Sequence, residues 1–396
     1  MAEPWITIIG LGEDGPEGLS AASRDALETA DVVMGPPRHL AMVDAAEKVE
    51  WPVPFADGYA VLEGLRGSRV VVLASGDPFW FGAGRGIAAH FPGQWRAFPG
   101  VSIFGLVAAR LGWSLEDVTC VGLHAAPFAQ MRRALAPGAR VIATLRDGAA
   151  VSDVARYLRD LGFGGSELFV CEAMGGPRER VSRVSVAEAM KGGFSHPVAV
   201  GLSIAGDGAA VPKTSGLPDD LFETDGVMTK RPLRAMTLSA LAPRHGEHLW
   251  DIGGGSGSIA VEWLLADASC WATIVEPRED RCALIRANAG ALGVEHRLEI
   301  VQGTAPEVFT GLDAPDVVFV GGGTSPALRT ALWASVAEGT RILFNAVTLE
   351  TEALLVGWQA QFGGELMKVE ISTAAPMGGK RGWKAAYPVV QWSVVR

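Results

Sequence analysis

Twice along this chain an apolar, strand-like run breaks into closely spaced glycines and then resumes with helical spacing. The first break lies in "ITIIGLGEDGPEG" (residues 6–18) and the second in "HLWDIGGGSGSIAVEWLL" (residues 248–265). Strand, tight turn and helix in that order is how a parallel sheet presents backbone amides to a nucleotide-like ligand at its carboxyl edge. Each loop opens a series of strand-like runs with helical stretches between them. The first series is "WITIIG", "ADVVMG", "RVVVLASG", "RVIATLRD", "ELFVCEAMG" and "HPVAVGLSI". The second is "HLWDIGGG", "WATIVEP", "LEIVQG", "DVVFVGGG", "TRILFNAV" and "YPVVQWSVV", with the clearest helix over 277–292. The expectation is an α/β fold with a mostly parallel sheet in each half, its strands buried on both faces. No internal repeat relates the halves.

Between the series, "AGDGAAVPKTSGLPDD" has turn-forming residues and no periodic apolar face, so it reads as a linker. The chain of 396 residues then divides into a domain over 1–205, a linker over 206–216 and a domain over 217–396. A formal charge of −10 argues against nucleic acid as a partner, because such binders carry a basic stripe for phosphates. After Glu370 there is no acid, while Lys380, Arg381, Lys384 and Arg396 follow, so this end could receive an anionic small molecule. Cys120, Cys171, Cys270 and Cys282 lie far apart, without zinc-like spacing to the histidines, which predicts reduced, mostly buried thiols and no metal site. Glu3 stands where a signal peptide needs basic residues, and no uninterrupted apolar stretch is long enough to span a bilayer. A cytoplasmic protein with no membrane association is expected.

Neither glycine loop suits a dinucleotide. The first matches G-x-G-x-x-G at Gly10, Gly12 and Gly15, but Glu13 and Asp14 sit inside the turn, where a pyrophosphate needs bare amides. The acid of the next strand, Asp31, is at its start and not at its end. In the second loop Ser258 replaces the last dinucleotide glycine, and Asp251 precedes the turn. A carboxylate there repels a pyrophosphate and suits a ligand carrying an ammonium and a sulfonium. Glu276 ends the following strand, where it can accept hydrogen bonds from both ribose hydroxyls. This pattern reads as S-adenosylmethionine recognition. A tight turn without a ligand is the plainer alternative, and the backbone entropy of so many glycines weighs against it.

The first half resembles the tetrapyrrole (class III) methyltransferases, in the branch that methylates precorrins in cobalamin synthesis. The likeness rests on "IIGLGEDGPEGLS", "GPPRHL", "VLASGDPFWFGAGRGI" and "FPGVSIFGLVAARLGW", in the family's order and spacing. The second half resembles the companion decarboxylating methyltransferases through "LPDDLFETDGVMTKRPLRA", "LWDIGGGSGSIAVE", "VQGTAPEVF", "DVVFVGGG" and "FNAVTLET". The resemblance implies a two-lobed class III fold followed by a Rossmann-like (class I) fold, each with its own S-adenosylmethionine site. It also implies the reaction: methylation at carbons 5 and 15 of an anionic tetrapyrrole, a reduced precorrin-6, with loss of carbon dioxide from the ring C acetate to give precorrin-8. By the same analogy the first half acts at carbon 5, and the second acts at carbon 15 and decarboxylates. Related decarboxylating enzymes are tetramers, so self-association through the second half is expected.

Carried over by motif, the cofactor residues of the first half are Ser75, Gly76, Asp77 and Trp80, then Ser102 and Ile103, with Leu11 to Glu13 beneath the substrate. An ordinary Asp-Pro turn is the plainer reading of "SGDP". Relatives acting on an earlier tetrapyrrole have a candidate catalytic aspartate where this chain has Gly35, and the branch often has Ser and Gly where Gly122 and Ala125 stand. No motif marks a base here; Arg38, His39 and His124 are the candidates. In the second half the cofactor residues are Thr229, then Gly253, Gly254, Gly255, Ser256 and Gly257, then Glu276, and Gly303, Thr304 and Ala305 beside the adenine. Gly321 to Gly323 allow close approach of backbone to ligand.

Methyl transfer from a sulfonium is an in-line displacement, so alignment and exclusion of water are the chief demands and a dedicated base is dispensable. The macrocycle can act as electron sink for the decarboxylation. Lys230, Arg231 and Arg234, with Lys380, Arg381 and Lys384, are candidate partners for substrate carboxylates, against the plainer reading of a solvated charged face. Two alternatives stay open at this point. One is a methyltransferase for a different tetrapyrrole, with the first half as a binding module. The other is an NAD-dependent dehydrogenase, which Asp251, Ser258, Glu13 and Asp14 oppose.

Overall fold

The computed structural model describes residues 4–396. Glu3, used above in reading the start of the chain, lies outside them. The chain divides into two compact units, the first ending at Ala210 and the second running Val211–Arg396.

The first unit contains two sheets. One is formed by β1 (Ile6–Leu11), β2 (Val32–Gly35), β3 (Lys48–Glu50), β4 (Val70–Ser75) and β5 (Trp95–Phe98) in the order β3-β2-β4-β1-β5. All its pairings are parallel. Side chains alternate across it: Ile6, Ile8, Val70 and Val72 enter one apolar cluster, while Ile9, Leu11, Val71 and Leu73 enter another on the opposite face. This is why the runs read as apolar throughout.

The second sheet comprises β6 (Val118–Gly122), β7 (Arg140–Leu145), β8 (Glu167–Glu172), β9 (Arg180–Ser185) and β10 (Val198–Ser203), in the order β6-β7-β10-β8-β9. Only β6 and β7 pair in parallel; β10 is antiparallel to β7 and β8, and β8 is antiparallel to β9. The expectation of a mostly parallel sheet fails here. The short turn joining β8 to β9 cannot make the crossover that a parallel pair requires.

In the second unit β11 (His248–Ile252), β12 (Trp271–Glu276), β13 (Leu298–Gln302), β14 (Val317–Val320), β15 (Arg341–Ala346), β16 (Glu365–Val369) and β19 (Val389–Val395) form one sheet. Its order is β13-β12-β11-β14-β15-β19-β16. The first five strands are parallel, and β19 and β16 add antiparallel pairings at one edge. The chain moves outward from β11 to β13 and then restarts on the other side of β11 with β14. That reversal opens a crevice at the carboxyl ends of β11 and β14, where α/β sheets bind ligands. Strands β17 (Ser372–Met377) and β18 (Lys380–Ala385) form a separate hairpin. The helix expected over 277–292 spans Glu279–Ala291.

The segment read as a linker has no regular structure, but its ends are tied down. Gly208 N–H donates to the Gly162 carbonyl at 3.1 Å, and Val211 and Leu217 are buried in the second unit's core. Among the described residues no helix is long and apolar enough to cross a membrane. Nor does any group of three His, Cys, Asp or Glu among them present a metal site.

Candidate active sites

At the reversal point of the second unit lies a cleft of about 370 Å³. Its floor is the turn after β11. Gly253, Gly255 and Gly257 all have positive φ, +76°, +58° and +74°, so the turn relies on glycine where a Cβ would be strained. Gly254 has an ordinary φ, but a Cβ there would collide with Ile274 of β12. The turn is stitched to its neighbours: Gly253 N–H donates to the Val275 carbonyl at 2.9 Å, and Gly321 N–H to the Ile252 carbonyl at 3.0 Å.

Glu276 is the polar anchor at one end. It is 2% exposed and accepts from Gly255 N–H at 2.9 Å and Arg278 N–H at 3.1 Å, one bond on each carboxylate oxygen. An ionised carboxylate has about four acceptor positions, so capacity remains toward the cleft. Thr229, Gly253, Gly254, Gly255, Ser256, Glu276, Gly303, Thr304 and Ala305 all line this space, as do Gly321 to Gly323. Gly257 is not part of the lining; it closes the turn onto the helix Ser258–Ala266.

Asp251 also lies outside the lining. It is buried, and neither carboxylate oxygen has a hydrogen-bond partner of good geometry among the described residues. Burial pushes its pKa up to about 7, opposed by the Ala260 amide and reinforced by Glu276.

Sequence reasoning missed a strap over the cleft. Val227 and Met228 line it beside Thr229, and the preceding Asp225 pairs with Arg281 at 2.9 Å. Arg281 itself lines the cleft. An ion pair between a loop and a later helix leaves no motif behind it.

Arg234 is a correction. It is fully buried, pairs with Glu262 and Asp219, donates to the Leu217 and Thr229 carbonyls, and lies under the Phe222 ring at 4.8 Å. With its donors consumed inside the protein it cannot meet a substrate carboxylate; it holds Thr229 in place. Lys230 and Arg231 are exposed at the start of the same helix. Lys380, Arg381 and Lys384 are exposed on the separate hairpin and do not line the cleft.

In the first unit three loops converge at the carboxyl ends of β4, β1 and β5. Gly76 N–H donates to the Leu11 carbonyl at 3.1 Å and Gly100 N–H to the Gly76 carbonyl at 3.0 Å. A Cβ at Gly10 would collide with both Gly76 and Gly100, so these strand ends meet through bare backbone. Ser75, Gly76, Asp77, Ser102 and Ile103 lie in these loops. The Asp77 carboxylate accepts from Phe79 N–H at 2.9 Å, and the Ser102 hydroxyl caps the helix Ile103–Leu111 through Gly105 N–H at 3.0 Å. Trp80 is 39% exposed and leans on Phe104 with ring centroids 5.0 Å apart. The Leu11 side chain is buried in the core, so only its backbone serves the loop.

The three candidate bases separate. His39 is completely enclosed, with Nε2 3.3 Å from the Ser75 hydroxyl, and burial, aided by the Arg38 charge, pushes its pKa down to about 4. As a correction, His39 is a neutral support for Ser75 and does not reach a ligand. Arg38 also donates to the Ser75 hydroxyl, at 3.1 Å, and remains partly open to solvent. His124 stands at the surface beside Thr144 Oγ1, 3.3 Å away. Gly35 packs against Leu73, and a Cβ at Gly122 would strike the Phe81 ring, which accounts physically for glycine at both positions.

The fold, the second unit's cleft and the first unit's convergent loops together define an α/β methyltransferase built from two units. Two family models match it in tandem: Tetrapyrrole (Corrin/Porphyrin) Methylases over residues 6–190 and the Precorrin methyltransferase domain over residues 220–396. The precorrin-6Y C(5,15)-methyltransferase (decarboxylating) of Sinorhizobium sp is 45% identical, over 99% of this chain and 97% of its own length. The protein of the same name from Mycobacterium tuberculosis (strain CDC 1551 / Oshkosh) is 38% identical, over 99% of this chain and 100% of its own. A solved C-terminal domain of precorrin-6Y C5,15-methyltransferase from Rhodobacter capsulatus is 50% identical, covers 47% of this chain and 100% of that one, and has a TM-score of 0.46. The chain belongs to the family of precorrin-6Y C(5,15)-methyltransferases (decarboxylating).

Proposed function

We propose that each unit of this S-adenosylmethionine-dependent, decarboxylating methyltransferase carries out one of the two methylations of precorrin-6Y on the way to precorrin-8. The first unit, a class III methyltransferase fold, acts at carbon 5. The second, a Rossmann-like class I fold, acts at carbon 15 and removes the ring C acetate carboxyl. The observation that carries this reading is that both units bring glycine-lined loops together at the carboxyl edge of a parallel sheet.

When bound, S-adenosylmethionine supplies a methyl group on a positively charged sulfur. In the second unit Gly253 to Ser256 and Glu276 would hold the ribose, with Gly303, Thr304 and Ala305 beside the adenine. The spare acceptor capacity of Glu276 and the glycine floor fit such a ligand. Thr229 and its strap cover the cleft and exclude water. In the first unit Ser75, Gly76, Asp77, Trp80, Ser102 and Ile103 form the second cofactor site. The protein's part is alignment. For decarboxylation a proton from solvent adds to the macrocycle, which then accepts the electron pair of the broken carbon–carbon bond as carbon dioxide leaves. That proton ends on the side-chain carbon as part of a methyl group; Lys230 and Arg231 hold substrate carboxylates. Exposed Trp383 and Tyr387, 79% and 87% accessible at and just beyond the separate hairpin, support self-association through the second unit.

The test is a mass count of product from precorrin-6Y with excess S-adenosylmethionine. Two added methyl groups and one lost carbon dioxide are expected for the native chain. Gly322→Val, whose side chain meets no protein atom and stands in the second cleft, should leave one methyl added and no carbon dioxide lost. Loss of both methylations in a folded Gly322→Val chain would refute the division of labour.

A further inference from the structure

The first unit contains a buried acid between two arginines. Glu13, in the turn after β1, has a side chain only 8% exposed. Arg38, from the short helix Pro37–Leu40 after β2, forms one ion pair with it, and Arg178, from the turn between β8 and β9, forms the other at 3.3 Å. Two guanidiniums on one carboxylate leave about one uncompensated positive charge. Their mutual proximity is felt: burial first, and then the Arg178 charge, hold Arg38 below its ordinary pKa. The same field reaches His196. Burial, Arg38 and Arg178 lower its pKa, while the Arg146 backbone and Asp147 oppose them.

The geometry is braced, so the charge excess is built in. Arg110 binds Glu179 through two hydrogen bonds, and Glu179 in turn accepts from Gly175 N–H at 2.7 Å. Gly176 packs so closely on Glu13 that a Cβ would collide with it. Arg38 is tied to Ser75 at 3.1 Å, which places the pair beside the convergent loops. Arg178 is 66% exposed, and Glu13 is its partner among the described residues. A side chain that open leaves donors available to a ligand. A planar fork with free donors next to a second guanidinium matches a carboxylate.

We infer that Arg38 and Arg178 form a seat for one peripheral carboxylate of the anionic tetrapyrrole, and that Glu13 is its internal placeholder. Glu13 pairs with both guanidiniums, and an arriving carboxylate competes with it for them. This assignment rests on the reading of the first unit as the carbon-5 methyltransferase.

The test uses the full chain and measures KM and kcat for carbon-5 methylation, together with melting temperature. Arg178→Gln should raise KM about tenfold with kcat within about twofold, because a charge-assisted hydrogen bond made on binding is lost. Arg178→Lys, which keeps the charge, should recover part of that rise. Glu13→Gln should lower KM several-fold by removing the competitor. Should Glu13→Gln fold poorly, Arg178→Gln and Arg178→Lys decide the matter alone. An Arg178→Gln KM within about twofold of the native value, or a Glu13→Gln KM that rises in a normally folded chain, would overturn the seat. A native chain that adds no methyl at carbon 5 would instead overturn the reading of the first unit.

Discussion

Arg234 and Glu262 form an enclosed ion pair, with side chains 0% and 2% exposed. Glu262 also accepts from Gly216 N–H at 2.6 Å and Leu217 N–H at 2.9 Å, while Arg234 holds the Thr229 carbonyl. One pair thus secures both the start of the second unit and a wall of its cleft. Removing a single partner leaves a buried charge alone, so Arg234→Ala should cost about 3–5 kcal/mol of stability. Urea unfolding of the full chain, followed by tryptophan emission, measures it. The double change Arg234→Met with Glu262→Leu should recover part of the loss and no more, because the Gly216 and Leu217 amides stay unpaired. Full recovery would mean that these amide bonds matter little.

Gly254 and Gly322 separate two reasons for glycine in a cleft. At Gly254 a Cβ meets Ile274 of the adjacent strand, whereas at Gly322 it meets nothing within 4 Å. Gly254→Ala should therefore lower both the melting temperature and the affinity for S-adenosylhomocysteine. Gly322→Ala should leave melting nearly unchanged and weaken binding alone, since the added methyl stands in ligand space. Calorimetric titration alongside thermal scanning distinguishes the two; unchanged affinity in Gly322→Ala would place the ligand away from that loop.

Much of this was legible because the informative residues are local. A strand, a glycine turn and an acid ending the next strand are set by neighbours in sequence, so the cleft with Gly253, Gly255 and Glu276 could be located from sequence alone. Arg234 shows the limit. Its charge and its place beside "MTK" suggest a substrate contact, but its fate is decided by Glu262, a partner from a different helix. The antiparallel β9 escaped for another reason: "RVSRVS" is an edge strand whose arginines pair with Glu172 and Glu167 of β8, so it has no apolar signature. The Arg38, Glu13 and Arg178 cluster joins three separate loops, and no spacing announces it.

His39 ties the first unit's stability to pH. Its folded pKa of about 4 lies below the ordinary 6.5, so the unfolded chain binds the extra proton between those values. Stability from this group is then full above about pH 6.5 and is lost as pH falls toward 4. His39→Gln should flatten that acid limb for the first unit, read by hydrogen exchange in its strands at pH 7 and pH 5. An unaltered acid limb would show that folding does not lower the His39 pKa.

Asp251 gives the opposite sign in the second unit. Its folded pKa of about 7 lies above the ordinary 3.8, so the folded state holds the extra proton, and stability falls as pH rises from about 4 to 7. The full penalty, at most about 4 kcal/mol, is present above pH 7. Asp251→Asn should therefore stabilise the second unit at pH 8 and match the native chain near pH 4. The same carboxyl also couples to ligand charge. A cationic sulfonium in the adjoining cleft favours the ionised acid, whereas the neutral thioether of S-adenosylhomocysteine does so less. Titrating each ligand near pH 7 in buffers of different ionisation enthalpy counts the protons released. More release with S-adenosylmethionine than with S-adenosylhomocysteine is expected in the native chain, with the difference abolished by Asp251→Asn. Equal release with both ligands would mean that Asp251 does not sense the charge of the bound group.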